Sequence, residues 1–146
     1  MFPFFKKAQI VIPRAIYEEI LSHAREEYPR RCCGILIGNP GKVVFESHRA
    51  VNLEKEGDSD KYIIDPMELK LITRMARIQS LDIIGFYHSH PDQRDYPSQF
   101  DMETAQAGLS YLIISIARGK EVSTKSWTIS KEGGPLKEEE IKIREQ

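Results

Sequence analysis

Apolar positions along the chain fall into short runs punctuated by Gly, Pro, Asn and Asp, with two longer amphipathic stretches between them. Ile10-Val11-Ile12 reads as a short strand. Pro13 follows at a position favoured in a first helical turn. Ile16, Ile20, Leu21 and Ala24 then recur on one face to about Glu27, predicting a helix that Pro29 ends. Cys32 to Ile37 is a continuous apolar run, the signature of a strand buried on both faces. Gly38-Asn39-Pro40-Gly41 turns the chain into a second strand, Lys42 to Ser47. Tyr62-Ile63-Ile64 predicts a brief strand. Asp65-Pro66 is an N-cap followed by proline at the first helical position, opening a helix to about Gln79 with Leu69, Ile72 and Ala76 as its core stripe. Leu81 to Tyr87 is rich in β-branched and aromatic residues and predicts a further strand. A third helix is expected from about Ser98 to Ala107, then a hairpin of Tyr111–Ile116 and Lys125–Ile129 around Arg118-Gly119-Lys120. From Lys131 to Gln146 the chain turns polar and reads as a loose tail. The order predicts a single α/β domain over residues 1–130, a curved mixed β-sheet flanked by helices.

Composition narrows the function. At 146 residues the chain is long enough for one full core, and a formal net charge of −1 argues against nucleic-acid binding, which needs a basic face. Lys6-Lys7 and Arg30-Arg31 are too short for such a patch. No apolar run reaches the length of a membrane span, and the segment from Met1 to Lys7 lacks the order of a signal peptide, so a cytoplasmic protein is expected. The adjacent Cys32 and Cys33 would face opposite sides of a strand, so they read as buried small hydrophobes in a reduced compartment. His48 reads as an exposed histidine, the acids of Glu54 to Asp60 as a solvated loop, and Gly133-Gly134 as a turn before Pro135. Phe2, Phe4 and Phe5 suit a partner as well as the core, which leaves the oligomeric state open.

The candidate chemistry lies at His88-Ser89-His90-Pro91, followed by Ser98 and Asp101. Side chains alternate along a strand, so His88 and His90 point the same way. With the Asp101 carboxylate a short loop away, they make three ligands of a four-coordinate zinc site and leave one position for water. The same ligands suit other divalent ions. Ser98-x-x-Asp101 also spells a capping box, a structural role that competes only partly for the serine hydroxyl.

His88-x-His90, seven residues, Ser98, two residues and Asp101 resembles the JAMM (MPN+) zinc metalloprotease signature. The likeness extends through Gly85-Phe86-Tyr87-His88-Ser89-His90-Pro91-Asp92, Gly108 to Ser115, His23-Ala24 and Cys32-Cys33-Gly34, in the style of the small bacterial and archaeal members. It implies the cytidine-deaminase-like JAMM/MPN fold, with Zn²⁺ on His88, His90 and Asp101 and zinc-bound water as nucleophile. Ser98 would be a hydrogen-bond donor to the oxyanion. The implied substrate is a bond at the C-terminus of a ubiquitin-like or sulfur-carrier protein, whose thin tail can add as a strand to a sheet edge. Arg94 and Tyr96 would flank its approach.

One departure qualifies the resemblance. The small bacterial members commonly carry a general-base glutamate three residues before the glycine, and here that position is Arg31, which stays protonated and cannot act as a base. Three explanations stand: a zinc-binding module that recognises tails but is catalytically impaired, a different carboxylate (Glu27 or Glu46) acting as base, or an arginine introduced to silence the site. A zinc nucleobase deaminase is set aside, because the Cys-x-x-Cys ligands and His-x-Glu of that chemistry are missing.

Overall fold

The computed structural model describes residues 8–54, 60–131 and 133–145. The phenylalanines at 2, 4 and 5, Lys6-Lys7 and most of the acidic loop before Asp60 lie outside the described residues. In chain order the elements are β1 (Gln9–Pro13), α1 (Arg14–Glu27), β2 (Cys33–Gly38), β3 (Val44–Ala50), α2 (Pro66–Ile78), β4 (Asp82–Pro91), α3 (Gln99–Thr104), β5 (Ser110–Ala117), β6 (Lys120–Thr128) and β7 (Lys137–Arg144). The strands form one mixed sheet in the order β1-β7-β6-β5-β4-β2-β3. Its two outer strands curl toward each other: Val11 and Val43 form a parallel bridge, and the Val11 N–H donates to the Lys42 carbonyl at 2.9 Å. This is the expected curved α/β sheet.

The two faces carry different helices. Ile20, Leu21 and Ala24 of α1 bury against Ile10, Ile12, Leu36, Tyr87, Leu112 and Ile114. On the other face Ile72 and Ala76 of α2 pack with Ile35, Ile37 and Phe86, and the segment after α3 brings Ala105 onto Tyr111 and Ile129. Removing such apolar surface from water is the main force holding the layers together, at about 25 cal/mol per Å². Gly34 is required by close approach, because a Cβ there would overlap the Tyr87 ring. Tyr87 in turn shares a 2.7 Å hydrogen bond with Nδ1 of buried His23, which satisfies both polar groups under α1.

Four expectations are corrected. The polar tail after Lys131 is not loose over 137–144: β7 pairs with β1 through Ile10↔Ile141 and Ile12↔Ile143, and with β6. Only Glu139, Ile141 and Ile143 face inward; Lys42 neutralises Glu139 at 3.1 Å and the Ser126 hydroxyl donates to it at 2.7 Å. The third helix stops at Thr104 because Ala105 turns extended (φ −63°, ψ 138°) to bury its methyl, while the Gln106 N–H donates to the Tyr111 hydroxyl at 2.7 Å. Tyr62-Ile63-Ile64 joins no strand; the Ile63 N–H is taken by Asn52 Oδ1 at 3.0 Å and its carbonyl by the Leu53 N–H. His48 is half-buried, 3.3 Å from Glu68, rather than exposed. No helix among the described residues is long and apolar enough to cross a membrane.

Candidate metal centre

β4 runs in the middle of the sheet, antiparallel to β2 and parallel to β5, and extends through both histidines to Pro91. Strand alternation therefore places His88 and His90 on the face that α2 and α3 cover, with Ser89 facing the other way. Ser89 ties two strands together. Its hydroxyl accepts the Cys32 N–H at 2.8 Å and its N–H donates to the Cys32 carbonyl, fixing the start of β2 beside the histidines. Loop 92–97 then carries the chain to α3, whose first turn returns Asp101 to the same point.

His88, His90 and Asp101 are 0 %, 2 % and 5 % exposed. The two Nε2 atoms lie 3.1 Å apart, and the Asp101 carboxylate oxygens lie 3.2 Å from His88 Nε2 and 3.4 Å from His90 Nε2. Zinc bonds of about 2.0–2.1 Å in a tetrahedron put ligand atoms about 3.3 Å apart, so these separations match the edges of such a site. The chemistry of the donors agrees. His90 Nδ1 lies 2.7 Å from the Arg94 carbonyl and must donate its proton there, which leaves a lone pair on Nε2. With its proton on Nδ1, His88 would turn an Nε2 lone pair to the same point, 3.1 Å from Nε2 of His90, where a cation would be held by both. Burial lowers the pKa of His88 and keeps the ring neutral, as a ligand must be. Burial would raise the Asp101 pKa, but a proton shared with the facing histidine nitrogens, His88 first, and the Ser98 N–H hold it well below the usual carboxylate range in the metal-free chain. The residues present fit a divalent metal.

Ser98 and Asp101 form a reciprocal capping box. The Asp101 N–H donates to Ser98 Oγ at 3.2 Å, and the Ser98 N–H donates to Asp101 Oδ2 at 2.9 Å. Ser98 Oγ is an acceptor in this cap, which leaves its own hydrogen to donate elsewhere. The capping and oxyanion roles are therefore compatible.

Arg31 does not swing into solvent. Its side chain is only 9 % exposed; Nη1 donates to the Ser89 carbonyl at 2.8 Å, between the two histidines in sequence, and Nη2 reaches Gln93 Oε1 at 3.4 Å and Asp60 at 4.0 Å. Burial lowers its pKa while the charges of Asp101 and Asp60 oppose that shift, so the guanidinium stays a cation next to the candidate ligands. Neither alternative carboxylate is placed to replace a glutamate there. Glu27 ends α1, the helix that packs on the opposite face, and pairs with Arg30 at 3.8 Å. Glu46 is exposed and lies opposite Ile37 of β2, whereas His88 lies opposite Cys33, an offset of about 13 Å along the strand.

Cys32 and Cys33 are buried and free, with burial pushing their thiols up to about 11 and about 12, so both are inert packing residues as their adjacency suggested. Arg94 lies over the Tyr96 ring, 4.7 Å from its centroid, on the loop that borders the ligands. Two contributors carry no mark in the sequence. Tyr62 stacks on the His88 ring with centroids 4.5 Å apart, and the Arg94 carbonyl is a backbone atom that no residue type announces.

A profile of prokaryotic homologs of the JAB domain matches residues 13–130. A desampylase of Haloferax volcanii is 38 % identical over 104 residues, covering 67 % of this chain and 74 % of the relative. A CysO-cysteine peptidase of Mycobacterium tuberculosis is 25 % identical over 138 residues, covering 94 % and 92 % of the two chains. A solution structure of a Desulfitobacterium hafniense protein superposes with a TM-score of 0.79 at 33 % identity, covering 94 % of each chain.

Proposed function

The chain belongs to the family of prokaryotic homologs of the JAB domain, and from that premise we propose that it is a zinc-dependent metallopeptidase or isopeptidase acting at the C-terminus of a ubiquitin-like or sulfur-carrier protein. The observation that carries the reading is the convergence of His88, His90 and Asp101 at the edge lengths of a tetrahedral site. The substrate class is supported by the names of two relatives, a desampylase and a CysO-cysteine peptidase.

Zinc, when held by these three residues, supplies Lewis acidity at neutral pH. Asp101 stays ionised there, His88 stays neutral, and His90 is turned to the centre by its hydrogen bond to Arg94. The free hydrogen of Ser98 Oγ is the donor to the scissile carbonyl oxygen as negative charge grows on it, a contact of the kind worth about 10²–10³ in rate. Loop 92–97 borders the approach, where Arg94 and the exposed Tyr96 offer a cation and a ring to an extended tail.

Arg31 favours a second reading, a module that holds zinc and recognises such tails with impaired turnover. A buried guanidinium anchored on Ser89 accepts no proton, and it adds positive charge beside the centre. Hydrolysis of a carrier-protein C-terminal fusion by the zinc-loaded protein, side by side with Arg31→Glu, separates the two. Cleavage by both at similar rates supports the peptidase with a base elsewhere. Cleavage by Arg31→Glu alone identifies an impaired chain on a peptidase scaffold. Cleavage by neither, with no tail binding, removes the proposal.

A further inference from the structure

Three consecutive backbone carbonyls in loop 92–97 are each taken by a side chain from a different strand. Ser115 of β5 donates its hydroxyl to the Gln93 carbonyl at 2.5 Å. His90 of β4 donates to the Arg94 carbonyl at 2.7 Å. Trp127 of β6 donates its indole N–H to the Asp95 carbonyl at 3.0 Å. The donors are all buried, as is Asp95, whose carboxylate also accepts the Ser123 hydroxyl. Before this stretch, the Asp92 N–H is held by the Ile116 carbonyl at 2.6 Å.

A backbone carbonyl in a six-residue loop has no fixed direction of its own. Here the peptide groups on either side of the Arg94–Asp95 peptide are tied to β5 and β6, so the Arg94 oxygen is presented to His90 before any metal arrives. That bond decides which ring nitrogen of His90 keeps its proton and which faces the other ligands. We propose that Ser115 and Trp127 are positioning residues for the metal centre: by pinning the carbonyls of Gln93 and Asp95 they hold the Arg94 carbonyl against His90 and so set the tautomer and angle of that ligand.

The proposal rests on the metal-centre reading, and its test keeps the two separable. Trp127→Phe keeps an aromatic ring against Tyr96 while removing the N–H donor and part of the ring's volume, a loss the stability measurement registers separately; Ser115→Ala removes only a hydroxyl. Ser126→Ala is the control, since it deletes an equally buried hydrogen bond in β6, to Glu139, away from the loop. Zinc affinity would be measured by competition with a chromophoric chelator, ligand geometry by the visible spectrum of the Co²⁺-substituted protein, and stability by urea unfolding of the metal-free protein. Trp127→Phe and Ser115→Ala should each weaken zinc binding by about fivefold to tenfold, up to the lower end of the range for direct partners of metal-ligating histidines, and shift the Co²⁺ bands. Ser126→Ala should lower stability and leave affinity and spectrum unchanged. Affinities within about twofold of the parent for both loop variants, alongside loss of zinc in His88→Ala, would overturn the positioning role alone. Unchanged zinc binding in His88→Ala would remove the metal centre and the inference with it.

Discussion

The side of the site where β4 runs into α3 and the side where β2 begins are built to opposite ends. On the first, the candidate ligand His90 has its outer nitrogen matched to a carbonyl, the carbonyls flanking that one are held by side chains of neighbouring strands, and the candidate carboxylate is locked into a helix cap. Everything there favours a cation at the centre. On the second, Arg31 fills the position of the expected base with a buried cation anchored on Ser89. In the proposed reading the difference separates two functions: the residues for metal capture are in place, while the position of the expected base holds a cation.

The largest test of that contrast replaces the cation. A glutamate at position 31 should raise hydrolysis of a carrier-tail fusion by about 10²–10⁴, the usual contribution of a positioned general base, and steady-state rates with and without the substitution measure it. Next in size, Ser98→Ala in the Arg31→Glu background should cost about 10²–10³ in kcat through loss of the oxyanion donor. It should also cost about 1 kcal/mol of stability through loss of the cap. A stability loss with kcat intact would reduce Ser98 to a structural residue. Asp101→Ala should weaken zinc binding by more than about 100-fold, because even the partners of ligands are worth about 10–100-fold; isothermal titration at fixed pH reads this directly. Arg94→Ala combined with Tyr96→Ala removes exposed side chains without touching the Arg94 carbonyl, so tail-peptide affinity should fall by about tenfold while zinc affinity holds. Equal tail affinity would leave loop 92–97 as a scaffold for His90 and nothing more.

The smallest effect concerns the packing behind β2. His23 is buried against Tyr87, and burial followed by the charge of Arg49 lowers its pKa below the ordinary value. The unfolded chain therefore binds a proton more readily than the folded one as pH drops below about 6.5. This contribution to stability is complete above that pH and is lost progressively as pH falls toward the folded pKa. Urea midpoints at about pH 7.5 and about pH 5.5 should converge in the parent and His23→Gln proteins as the pH falls, since the glutamine variant lacks this titration. Parallel losses in both would exclude His23 as a source of the pH dependence.

What the sequence determined by itself is the part of the molecule whose causes are local. An alternating strand places His88 and His90 on one face, Ser98 caps the helix that carries Asp101, and Asp65-Pro66 starts α2 with the Asp65 side chain accepting the Met67 N–H at 2.9 Å. These relations span few residues, so residue type and spacing are sufficient to read them. The position of Arg31 could be read as a departure from the family pattern, but whether the side chain turned outward could not. Only the assembled structure decided that it is buried on Ser89, that Tyr62 stacks on His88, that the polar segment from Lys137 pairs with β1, and that Ser115 and Trp127 clamp the loop. Each of these depends on partners remote in sequence or on backbone oxygens that every residue shares. Their energy comes from burial and hydrogen bonding that exist only once the sheet has closed around them.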